Sequence, residues 1–203
     1  MPPNWYEESI RVNPFQRFWH TTRFREISKL IETSGGKLLD IGCADGVFTK
    51  VLLDRSHASS IVGIDVRKET VAWARGFWNK EPRLSFQVAD GHALPFPSGT
   101  FDAVTSLEAL EHVYHPEQVL SEALRVLKPG GYALFLVPTD SLLFRIVWYL
   151  WKKVRGGIWE GTHVQSFQNG SLGTLAKRCG FTIEKEHLFL CGMLYAVKVR
   201  KLI

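Results

Sequence analysis

The residues that could do chemistry are acids at the ends of apolar runs, together with one acid-histidine cluster. Asp40-Ile41-Gly42-Cys43-Ala44-Asp45-Gly46 joins a strand-like run to a helix-like one. Its spacing is not that of the dinucleotide fingerprint, and nothing in the chain matches the phosphate loop. Asp40 and Asp45 would repel a phosphate at the helix amino terminus and suit an amine or sulfonium. Asp45 is equally placed to cap that helix, and Cys43 reads as a small buried residue. Asp65 ends the run Ile61 to Asp65, where a carboxylate can accept from both hydroxyls of a ribose. Asp90, followed by Gly91, ends the run Leu84 to Ala89 and can accept from an exocyclic adenine amine. Further on, Leu107-Glu108-Ala109-Leu110-Glu111-His112 puts Glu108, Glu111 and His112 on one face if a helical turn begins there. Two carboxylates and an imidazole suit a divalent ion such as Mg, Mn or Zn, with His163 as a fourth ligand. Without a metal, His112 is the candidate general base. His20, His57, His92, His115 and His187 have no comparable partners and read as surface or core residues.

An adenosine with a cationic amino-acid tail and no phosphate fits the acidic strand ends better than NAD or ATP. S-adenosylmethionine has that composition. The elements that must position these residues alternate from residue 37 onward. Strand-like runs at Lys37 to Ile41, Ile61 to Asp65, Leu84 to Ala89, Phe101 to Leu107 and Tyr132 to Val137 are separated by helical patterns at Val47 to Asp54, Glu69 to Trp78 and Glu117 to Leu127. Such alternation predicts a parallel sheet with helices on both faces, an α/β fold of the doubly wound, Rossmann-like kind. The amino-terminal helix is expected at Pro14 to Thr33, where Phe15, Phe18, Trp19 and Phe24 read as a packed face. An amphipathic segment at Ser141 to Val154, a short helix at Ser171 to Cys179 and two strand-like runs at Phe181 to Leu190 and Met193 to Val199 complete the chain.

Residues 38 to 138 resemble the class I S-adenosylmethionine-dependent methyltransferases, through LLDIGCADG, VGIDV, VADGHALPFPSGTFDAVTSLEALEHV and VLKPGGYALFLVP. The resemblance implies a seven-stranded sheet whose last strand is antiparallel. It also implies that Gly42, Ala44 and Gly46 approach S-adenosylmethionine through backbone, Asp65 holds the ribose, Asp90 and Gly91 the adenine, Leu107 packs nearby, and Val66 is among the cofactor-binding residues. Asp40 belongs to the same cofactor set, and Ala44 stands where the family commonly has glycine. The Glu-x-x-Glu-His cluster followed by Gly161-Thr162-His163 is similar to the O-methyltransferases of ubiquinone biosynthesis. That likeness implies a hydroxyl acceptor on a small apolar or quinone-like molecule, with Arg23 pairing with the cofactor carboxylate. RNA 2′-O-methylation and non-catalytic cofactor binding are the alternatives.

The chain has 203 residues, 45% of them hydrophobic and 22% charged, enough for one well-buried domain. The expected unit is 1–203, with a helical lid at 1–36 and a cap over the acceptor site at 139–168. Three cysteines without metal-knuckle spacing and no signal-like leader predict a reducing, cytoplasmic setting. The net charge of +5 is uneven: residues 141–203 hold ten Lys and Arg against three Glu, and residues 1–140 hold fifteen against seventeen acids. The basic residues form no stripe with interleaved aromatics, which speaks against nucleic acid. Residues 142–153 combine aromatics with basic flanks, which fits a core-facing helix and also a peripheral membrane contact.

Overall fold

The computed structural model describes residues 2–32, 35–155, 164–168 and 170–203. Two helices come first, α1 (Trp5–Val12) and α2 (Pro14–Ser28). Asn13 separates them, its side chain accepting from the Phe15 and Gln16 amides while Pro14 starts the second helix. The alternating region follows as β1 (Lys37–Ile41), α3 (Val47–Ser56), β2 (Ser60–Asp65), α4 (Lys68–Phe77), β3 (Leu84–Val88), β4 (Phe101–Leu107), α5 (Pro116–Val126) and β5 (Leu127–Pro138). Then come α6 (Leu142–Arg155), α7 (Ser171–Arg178), β6 (Thr182–Phe189) and β7 (Leu194–Arg200).

The strands form one seven-stranded sheet in the order β3-β2-β1-β4-β5-β7-β6. β1 pairs in parallel with both β2 and β4, and β7 runs antiparallel to β5 and β6. This is the doubly wound sheet that the alternation predicts, with the antiparallel last strand that the resemblance implies. The order reverses beside β1, and a ligand crevice is expected outside the carboxyl ends of strands at such a point.

Side chains alternate across the sheet, as strand geometry demands. Leu39, Ile41, Phe135 and Val137 pack on one face with Val119 and Leu120 of α5 and Leu172 of α7. Leu38, Leu134 and Leu136 pack on the other with Ile27 of α2 and Leu52 and Leu53 of α3. Trp19 and Phe24 pack against this second cluster, whereas Phe18 is 61% exposed, so the expected aromatic face of α2 is only partly core.

No helix among the described residues is long and apolar enough to cross a membrane. β5 starts five residues before the expected Tyr132, because Gly130 N and Gly131 O pair with Lys201 and carry the ladder through the Pro129-Gly130 turn.

Candidate active site

One cleft lies at the carboxyl ends of β1 to β4, and the glycine turn forms its floor. The Gly42 and Cys43 amides both donate to Ile64 O, at 2.8 and 2.9 Å, which draws the turn against β2. Gly42 has φ +78, and a Cβ there would lie 2.4 Å from that of Ala109, so only glycine lets the turn pass under the loop after β4. Asp65 anchors the turn from the next strand: Oδ2 accepts from Ala44 N at 3.1 Å and Oδ1 from Arg67 N at 2.9 Å. Asp90 accepts from the His92 amide (2.9 Å) and ring Nδ1 (2.7 Å). These bonds, the amide's first, hold its carboxyl below the usual range. Of the expected cofactor residues, Gly42, Ala44, Asp65, Val66, Asp90 and Gly91 all line this cleft. Two acids, close backbone and the apolar walls of Ile41 and Leu110 make a donor set that fits an adenosine with its diol.

The other four expected cofactor residues do not line it. Asp40 is 2% exposed and turned inward, its oxygens accepting from the hydroxyls of Thr49 (2.6 Å) and Thr105 (2.8 Å). Gly46 starts α3 at φ +78, where a Cβ would meet Phe86 and Trp78 at 2.7 Å. Leu107 is buried in the core on the α2–α3 face of the sheet. Arg23 lies at a second pocket, next to the cleft, whose wall is aromatic: Phe15 and Trp19 of α2, Phe144 and Trp148 of α6.

The floor of this second pocket is polar. Arg23, 2% exposed, pairs with Glu108, reaches His20 Nδ1 at 3.0 Å and lies 4.2 Å over the Phe48 ring. Burial, helped by Arg23, lowers the His20 pKa to about 2. The imidazole is therefore neutral: Nδ1 accepts from Arg23, and Nε2 donates to Gln16 Oε1 at 2.9 Å. His20 and His92 thus have polar partners that their isolated sequence positions concealed.

The single helical face expected for Glu108, Glu111 and His112 does not form. Glu108 has φ +57, and only Leu110–His112 make a short 3-10 turn. Glu108 is taken up by Arg23, while His112 Nε2 stands 4.0 Å from Glu111 Oε1. Among the described residues no group of three His, Cys, Asp or Glu side chains is placed to hold a metal ion. His163 lies outside them, although its neighbour Val164 donates to Glu111 O at 2.9 Å. The donor set among the described residues does not fit the expected metal. Burial, reinforced by Glu108, raises the Glu111 carboxyl well above its usual range, and its Oε2 has no hydrogen-bond partner among the described residues.

Tyr6, Glu108 and His112 line both the cleft and the aromatic pocket, so the two spaces meet at these three side chains. Tyr6 comes from α1, which is not among the elements expected from the sequence. Burial raises its phenol pKa, so it stays protonated. The signal that could have found α1 is Asn4 followed by Glu7, the spacing of a capping box. In the fold Asn4 makes no side-chain cap. Asp45 Oδ2 instead accepts from Glu7 N at 2.9 Å, while Asp45 Oδ1 accepts from Val47 N at the start of α3.

A sheet of this order with an acid-lined cleft at its switch point is the architecture of an α/β protein that holds a ligand beyond its strand ends, here with an aromatic pocket alongside. Comparison with known proteins makes the class specific. Residues 39–135 match the family described as Methyltransferase domain. The ubiquinone/menaquinone biosynthesis C-methyltransferase UbiE of Geobacter sulfurreducens is 35% identical over 60% of this chain and 50% of its own. A ubiquinone biosynthesis O-methyltransferase of Thiobacillus denitrificans is 26% identical over 94% of this chain and 82% of its own. A chain in the complex between a Haloferax volcanii methyltransferase activator and a methyltransferase superposes with TM-score 0.80 at 18% identity, covering 99% of this chain and 94% of that one. The chain spans about half the length of the first of these relatives. These likenesses support a class I S-adenosylmethionine-dependent methyltransferase.

Proposed function

We propose that the chain transfers the methyl group of S-adenosylmethionine to a hydroxyl of a small apolar or quinone-like molecule seated in the aromatic pocket. The observation that carries this reading is the meeting of the acid-lined cleft and the aromatic pocket at Tyr6, Glu108 and His112. Gly42, Ala44, Asp65 and Asp90 would hold the cofactor, which supplies a methyl group activated on a positively charged sulfur. The aromatic wall positions a planar acceptor and excludes water. His112, at the junction, is the base for the acceptor hydroxyl proton. Glu108 and Arg23 neutralise each other beneath it. Three free cysteines suit a reducing cytoplasm.

The similarity to a C-methyltransferase supports a second reading, transfer to a ring carbon of a quinone-like acceptor. Methyl-labelled S-adenosylmethionine offered with simple hydroquinones and catechols tests both. Label that hydrogen iodide releases sits on oxygen, and label that resists it sits on carbon. The expected outcome is ether-borne label, with His112→Ala lowering kcat by about a hundredfold while cofactor affinity is kept. Full turnover in His112→Ala would remove it from the mechanism.

A further inference from the structure

His92 stands in the loop after β3, and that loop is pinned to α5 at several points. Gln118 donates through Nε2 to His92 O at 3.1 Å, and the Leu94 amide donates to Glu122 Oε2 at 2.7 Å. Arg125 donates to Leu94 O at 3.0 Å and to Phe96 O at 2.7 Å. Asp90 Oδ1 then takes both the amide and the ring Nδ1 of His92, so one carboxylate oxygen fixes backbone and imidazole together. An ionised carboxylate only accepts, which puts the ring hydrogen on Nδ1 and leaves the lone pair of the neutral ring on Nε2. That nitrogen is buried and has no hydrogen-bond partner among the described residues, and His92 lines the cleft beside Asp90 and Gly91. A buried acceptor left unpaired is destabilising, and a donor on a ligand relieves it.

We propose that His92 is a specificity-determining residue of the cleft, its Nε2 accepting one hydrogen of the exocyclic amine of adenine. The amine has two hydrogens. The bonds from His92 fall on Oδ1 of Asp90, which leaves Oδ2 to accept the other. Two acceptors side by side describe an amino group. The oxo group of hypoxanthine would set its oxygen against a lone pair and a negative charge. Asp90 thus works twice, as a direct acceptor and as the group that orients the ring of His92. This inference rests on reading the cleft as the S-adenosylmethionine site.

Calorimetric titration of the full chain with S-adenosylhomocysteine and with S-inosylhomocysteine, which carry the amino and the oxo base, measures the preference. The wild type is expected to bind the adenosyl compound about a hundredfold more tightly, through two hydrogen bonds. His92→Phe keeps a planar ring without a lone pair and is expected to lower that preference about tenfold by weakening the adenosyl compound alone. Its wild-type affinity for the inosyl compound would show the cleft intact; should it bind neither compound, His92→Ala carries the same expectation. His92→Gln, whose amide oxygen can accept in place of Nε2, is expected to restore most of the preference. An undiminished preference in His92→Phe overturns the proposal. So does a preference in His92→Gln as low as in His92→Phe, which would make the effect one of packing, or a wild type that favours the inosyl compound, the mark of a ring that donates from Nε2. A wild type that binds neither compound overturns the cofactor reading itself, an outcome distinct from these.

Discussion

Both carboxylate oxygens of Asp40 are filled from within the chain, by the hydroxyls of Thr49 and Thr105, so this acid ties β1 to α3 and β4. Burial raises its carboxyl from 3.8 to about 6, against the lowering effect of those two hydrogen bonds. Between these values the folded chain keeps a proton that the unfolded chain has released. Stability therefore falls as pH rises through this window and levels off above it. At about 1.4 kcal/mol per unit, and with the unfolded carboxyl already partly ionised at pH 4, the wild type should lose about 2.5 kcal/mol between pH 4 and 7 that Asp40→Asn does not lose. Urea unfolding of both proteins across this range measures the difference, and parallel pH profiles would contradict the buried-acid account. At this scale the sequence reveals that acids close the strands but not which way each one points. Asp40, Asp65 and Asp90 look alike in sequence, yet β1 turns the first into the core while the other two line the cleft. Glu108 was similarly illegible, since its left-handed backbone breaks the helical spacing on which a shared face with Glu111 depends.

Among the elements, α1 depends most on the rest of the fold. Its amino terminus is capped by Asp45, 38 residues away, rather than by its own Asn4. Because α1 carries Tyr6, that bond sets one side of the junction between cleft and pocket. Losing a cap of this kind costs about 1 kcal/mol, so Asp45→Ala should open α1 about fivefold more often. Hydrogen exchange at pH 7 would show this as faster exchange of the α1 amides with β4 and β5 unchanged; α1 protection equal to wild type would show that the cap does not hold the helix. Strong periodicity made the central elements legible: β1 and β4 fall at the residues expected, and α3, α4 and α5 within two residues. An eight-residue helix whose cap comes from a distant turn offers little local pattern, which is why α1 escaped.

For the whole molecule, the sheet order follows from alternating strand and helix signals, and the switch point beside β1 brings the expected cofactor residues of three strands together. The aromatic pocket was not legible in this way. It is assembled from α1, α2, the loop after β4 and α6, which meet only in the fold. Motifs inside the sheet therefore point to the cofactor, while the proposed acceptor pocket is written in surfaces that no single segment shows. The most direct test of this account is calorimetric titration of the chain with S-adenosylmethionine, with NAD as control, for the wild type and Asp65→Ala. One S-adenosylmethionine is expected to bind per chain, with no heat from NAD and an affinity loss of at least about tenfold in Asp65→Ala, because each good hydrogen bond to a charged group contributes about 1.5–3 kcal/mol. A folded chain that binds no S-adenosylmethionine, or an Asp65→Ala variant that binds it as tightly as the wild type, would contradict the account.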